Sequence, residues 1–214
     1  MQANGWLSVS SSSLVRLGGI AAVMAAVLLL AAEIVDAYQT VESNREFLTT
    51  ATHAFQSALR LIAFGLMLPL GLVGLYARQS EDTGPLGVVG FVVTFAGTVL
   101  VSGFAWVDTF IAPELARSAP QLIGMGPPPG RALSFVVFGV GWALFGLASL
   151  VGGVYPRPAS ALLIVGAVIA TVVALTLLPV PLVFLPFEAA VAWLSVALLT
   201  GWGGSASTQP SRVS

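Results

Sequence analysis

The chain has no cysteine, no lysine and one histidine, and only 8% of its 214 residues are charged. Each shortage removes a class of chemistry. Without cysteine there is no disulfide, no thiolate nucleophile and no cysteine-held metal. Without lysine there is no Schiff base to retinal or pyridoxal phosphate, and no Walker-type phosphate loop. A single histidine excludes a bis-histidine haem within one chain; a haem shared between chains stays open. Eight basic residues, all arginine, face nine acidic ones, so no basic field exists for nucleic acid. What fills the sequence instead is apolar: 57% hydrophobic residues and a mean hydropathy of +0.97. A soluble domain carries roughly 25% charge. A solvated globule of 22.0 kDa cannot hide this much apolar surface.

A membrane helix needs about 20 mostly apolar residues. Six segments meet that need, at 17–38, 54–77, 86–108, 132–155, 159–178 and 186–202, and stretches 132–156 and 158–187 carry no charge at all. The breaks agree with this reading. Ser80 to Pro85 is a polar turn, Pro156-Arg157-Pro158 interrupts the fourth and fifth segments, and Pro179, Pro181 and Pro186 separate the last two. Residues 39–53 are polar with some helical character. Residues 109–130 begin apolar enough to lie in the interface and end in Gly124-Met-Gly-Pro-Pro-Pro-Gly130, which is irregular. The apolar stretch 17–32 is slightly long for a signal-peptide core and has only Arg16 as its basic flank, so an uncleaved first span is expected. The Ser- and Gly-rich tails, 1–13 and 203–214, are expected to be disordered around a transmembrane domain at 14–202.

An even number of spans puts both termini on one side. Arg16, Arg78, Arg157 and Arg212 then oppose Arg45, Arg60, Arg117 and Arg131, and the positive-inside count is level. Arg16 abuts the first span, and Arg78 and Arg157 sit in short loops. These positions favour cytoplasmic termini in a plasma membrane.

The second span ends Gly71-Leu-Val-Gly-Leu-Tyr-Ala-Arg78 and the fourth ends Leu150-Val-Gly-Gly-Val-Tyr-Pro-Arg157, each followed by a tight turn and a further span. This echo suggests a duplicated helix hairpin, although Tyr and Arg also mark any membrane interface. Small residues recur at four-residue spacing, Gly18, Ala22 and Ala26 in the first span and Ala148 and Gly152 in the fourth, while Gly87, Gly90, Gly97 and Gly103 punctuate the third span and Gly139, Gly141 and Gly146 the fourth. They let helix backbones approach where lipid supplies no hydrophobic drive.

Ionisable groups inside spans are costly and are paired or functional. Here they gather at one end. Glu33 and Asp36 share a face near the end of the first span. His53, Gln56 and Arg60 form one stripe at the start of the second, with Arg60 about 10 Å along it at ~1.5 Å per residue. Asp108 closes the third span, and Glu188 lies in the first turn of the sixth. Antiparallel neighbours bring all seven to the same leaflet. Two readings stay open. In the structural one, Arg60 pairs with Glu33 or Asp36, Glu188 complements a helix dipole, Asp108 marks the water boundary and His53 faces the headgroups. In the other, the cluster is an outward-facing ligand pocket for a divalent cation, a proton or an organic cation. Catalysis is not expected. There is no Gly-x-Ser-x-Gly and no His-Glu-x-x-His, and Ser102-Gly103 is preceded by Leu100 where a rhomboid-type motif has glycine.

The runs Gly71 to Gln79, Gly84-Pro-Leu-Gly-Val-Val-Gly-Phe91, Val99 to Asp108 with its Ala-Trp-Val-Asp ending, and Pro158 to Ala167 resemble a broad group of prokaryotic six-span membrane proteins of no established activity. The resemblance extends over most of 14–202. It implies the six-span fold, with a histidine opening the second span and an acid closing the third, positions held here by His53 and Asp108. The expectation is therefore an all-α polytopic bundle of six transmembrane helices. No cofactor is expected, and the lipid bilayer is its surroundings. A protein partner or homo-oligomer stays open. The role is structural or accessory, with a ligand-handling transporter or sensor as the alternative.

Overall fold

The computed structural model describes residues 11–38, 44–123, 129–176 and 182–201, and these are all helix and turn with no strand among them. The first helix, α1 (Ser11–Ala37), begins inside the predicted N-terminal tail. A short α2 (Asn44–Leu48) precedes α3 (Ala51–Ile62), a π-helical turn (Ala63–Met67) and α4 (Leu68–Gln79), which together make the second span. Then follow α5 (Gly84–Phe110), α6 (Ala112–Ser118), a 3₁₀ turn (Pro120–Leu122), α7 (Pro129–Gly152), α8 (Arg157–Thr176) and α9 (Leu185–Leu199). The C-terminal tail, the glycine-proline run at 124–128 and Pro179 to Pro181 lie outside the described residues.

Five helices are long and apolar enough to cross a membrane, which marks the chain as a membrane-embedded helical protein. The sixth expected span differs. As described, α9 is apolar but has 15 residues, about 22 Å at 1.5 Å per residue, against a hydrocarbon core of about 30 Å. The first five columns each pack against the next in sequence, and α9 packs on α8 and on α1, so the helical columns close a ring. The outward faces are apolar. Val27, Val92, Val140, Val165, Val168 and Val196 are all more than half exposed, as lipid contact requires and water contact would penalise.

Local sequence explains the helix ends. Thr50 caps α3 by accepting the His53 backbone N–H at 3.0 Å. Pro69 lacks an N–H and its ring would strike the Gly65 carbonyl in a regular helix; the preceding turn widens to π geometry, with the Leu68 N–H reaching Ala63 O. Gly153 ends α7 with φ +66°, a left-handed cap that favours glycine.

The ring is tied by backbone-to-backbone seams. A Cβ on Gly97 would collide with the backbone of Phe138, and one on Gly141 with the backbone of Thr94, so α5 and α7 meet at main-chain distance. Gly18 and Gly74 meet in the same way between α1 and α4. Gly103, expected to pack like the other glycines of the third span, meets nothing within 4 Å. The interior of the ring is filled by fully buried Phe138, Trp142, Phe145 and Phe187, with Phe187 at 5.3 Å from Phe138 and 5.2 Å from Trp142 between ring centres.

The two echoing hairpins differ in packing. α7 and α8 lie together along their length, whereas α4 and α5 touch only sparingly. Their tyrosines also differ. Tyr76 stacks on Phe91 at 4.3 Å within its own hairpin, while buried Tyr155 donates to Leu75 O at 2.9 Å across to the other.

Candidate functional site

Five of the seven predicted residues meet. Glu33 and Asp36 from α1, Arg60 from α3, Asp108 from α5 and Glu188 from α9 line one cavity of about 570 Å³. The volume falls in the range of small-molecule sites. The rest of the wall is largely apolar and includes Leu29, Phe64, Phe104, Phe135 and Phe184.

Arg60 organises one side. Its Nη2 lies 3.3 Å from Glu33 Oε1 and 3.5 Å from Asp36 Oδ2. One guanidinium thus pins the second span to two carboxylates of the first, one turn apart. Glu33 is 5% exposed, while the Asp36 side chain is 47% exposed and sits at the rim. Glu188 is different. It is 3% exposed, and neither carboxylate oxygen has a hydrogen-bond partner among the described residues. Its place in the first helical turn fits the dipole argument, but the dipole leaves both oxygens unbonded.

His53 and Gln56 do not join the site. Neither lines the cavity. His53 is buried rather than turned to the headgroups, with Nε2 at 3.2 Å from the Asp108 backbone oxygen and Phe47 edge-on at 4.9 Å. Fully buried Gln56 donates to Ala32 O at 3.3 Å. The reason is depth. His53, Gln56 and Arg60 share one stripe, but Arg60 lies about 10 Å further along the helix at ~1.5 Å per residue, and only it lines the cavity. The first two fasten the start of α3 to the ends of α5 and α1 through one side-chain nitrogen each, while His53 Nδ1 and Gln56 Oε1 are buried without a partner among the described residues.

Arg131, read from sequence only as a topology charge, is the sixth polar residue of the wall. Its guanidinium lies 5.3 Å from the centre of Phe104 and 5.9 Å from that of Phe135. It is within electrostatic reach of Asp108, and its Nε is buried without a partner. Its position just before the uncharged stretch beginning at 132 puts it in the same leaflet as Asp108, and that placement was the available signal. The approach to α9 is also unusual. Leu182, at φ +57°, is the one non-glycine in the left-handed region among the described residues, and it leads into Val183 and Phe184 of the wall.

Chemically the site offers charge and apolar surface, not a metal cage. No three His, Asp or Glu side chains stand at metal-ligating spacing among the described residues. Nor does His53 serve the cavity as a base.

These features define a membrane-embedded helical protein with a charged cavity at one end of its ring. Compared with known proteins, the chain matches no family model, no curated protein and no solved structure.

Proposed function

We propose that the protein binds a small ligand in the charged cavity, as a membrane receptor or sensor component. The observation that carries this reading is Glu188, a carboxyl lining a cavity of about 570 Å³ with both oxygens buried and unbonded. A purely structural acid would be paired, as Glu33 is with Arg60. Native mass spectrometry of protein gently extracted from its own membranes tests the proposal. The expected result is a retained mass of small-molecule size that disappears in Ala105→Phe, a change that fills the wall without touching an ionisable group. A bare chain, or a stoichiometric complex with another polypeptide, would support the structural or accessory role instead.

The proposal includes six spans in a prokaryotic plasma membrane with cytoplasmic termini, and membership of the six-span group that the sequence resembles. The absence of native cysteine makes orientation directly measurable. Glu81→Cys, in the turn after α4, is expected to resist a membrane-impermeant maleimide on intact cells, while Thr49→Cys, before α3, reacts. The opposite pattern would invert the protein.

A further inference from the structure

We infer that the cavity's ligand is an organic ammonium with an apolar body, held by Glu188. This rests on the ligand-binding reading above and names its chemistry. The charges of the wall supply the argument. Arg60 is already engaged by Glu33 and Asp36, and Arg131 has Asp108 within electrostatic reach but makes no ion pair among the described residues. Glu188 is a carboxyl without an ion-pair or hydrogen-bond partner among the described residues, with Glu33 and that same engaged Arg60 within electrostatic reach. Four carboxyl groups share two guanidinium groups, so the wall has an excess of acid and suits a cation.

The kind of cation follows from the remaining wall. A divalent metal asks for several oxygen ligands converging on one point, and no three such groups converge among the described residues. An ammonium needs fewer: one carboxylate acceptor, with aromatic faces and apolar surface around its carbon body. Phe64 and Phe184 supply rings that Arg131 does not occupy. Arg60, at 27% side-chain exposure, and Asp36 form the wetter rim, and Glu33 and Glu188 the enclosed part. A cation therefore meets acidic groups from the opening inward.

The test uses the full chain purified in a neutral detergent, with n-hexylammonium, n-hexanesulfonate and n-hexanol as probes matched in their apolar part. Binding is read by calorimetry and by the shift in thermal unfolding. Hexylammonium is expected to bind, with hexanol and hexanesulfonate weaker by about tenfold or more, the factor that follows from losing one charge-assisted contact. Glu188→Gln is expected to erase that preference while leaving the unfolding temperature of the empty protein unchanged or higher. If Glu188→Gln does not fold, Ala105→Phe gives the second readout, abolishing hexylammonium binding by occlusion.

A free amine and a lipid headgroup both carry such an ammonium, and dihexanoyl-phosphatidylethanolamine distinguishes them. Competition with hexylammonium, absent with dihexanoyl-phosphatidylglycerol, identifies a headgroup; no competition from either identifies a free amine. Tighter binding of hexanesulfonate, lost in Arg131→Ala, would overturn the ammonium assignment while leaving a ligand site in place. Equal binding of all three probes, or hexylammonium binding unaffected by Glu188→Gln, would also overturn it. No binding of any probe, together with a native mass unchanged by Ala105→Phe, would remove the ligand reading as well.

Discussion

Arg60→Met is expected to destabilise the bundle by about 3 kcal/mol, the scale for stranding a buried charge whose partner has been removed. The stranded group is Glu33, 5% exposed and held by Arg60 Nη2 at 3.3 Å. Asp36, the other partner, is nearly half exposed and lies at 3.5 Å, so Asp36→Asn should cost less than about 1 kcal/mol. The double variant Arg60→Met/Glu33→Gln should recover most of the loss, because it removes both charges together. Reversible unfolding in mixed micelles with rising SDS fraction measures all three. A single-variant loss for Arg60→Met below about 0.5 kcal/mol, the range of ordinary surface changes, would show that the guanidinium does not compensate Glu33.

A loss of similar size, about 3 kcal/mol, is expected for Gly97→Leu, at the top of the usual range for overpacking. The side chain would be built into the Phe138 backbone, which cannot rotate aside as a flexible side chain can. α5 and α7 would have to separate, and the seam that Gly141 makes against Thr94 would open with them. Gly103→Leu on the same helix is the control. It enters open space and should change stability by less than about 0.5 kcal/mol. Equal effects at the two positions would mean that the close approach of α5 and α7 is not what holds the ring.

The two glycines also show what the sequence could and could not reveal. Both lie on α5, where six residues of spacing turn them about 120° apart, so they cannot share one seam. Which one faces α7 depends on the rotation of the helix, a tertiary property. The site divides in the same way. Glu33, Asp36 and Arg60 were legible because an arginine inside one span and acids a turn apart on its antiparallel neighbour have few other ways to be satisfied. Glu188 and Asp108 followed from leaflet alternation. His53 and Gln56 share a stripe with Arg60 but are taken up by the carbonyls of Asp108 and Ala32, a competition that residue spacing does not register. Arg131 was missed because a charge at the border of a span reads first as a topology marker; the two phenylalanine rings beneath it come from different helices, α5 and α7. Hydropathy also cannot separate a full span from the shorter α9, since both are apolar and flanked by proline.

The aromatic fill of the ring sets a limit on traffic. Phe138, Trp142 and Phe187 are fully buried, pack ring against ring, and do not line the charged cavity. On the proposed reading, a ligand held at the charged wall stays outside this aromatic layer, so its occupancy follows the compartment the cavity opens to and membrane voltage does little work on its charge. Passage through the protein would require Trp142, packed against rings from both flanking directions, to leave its place.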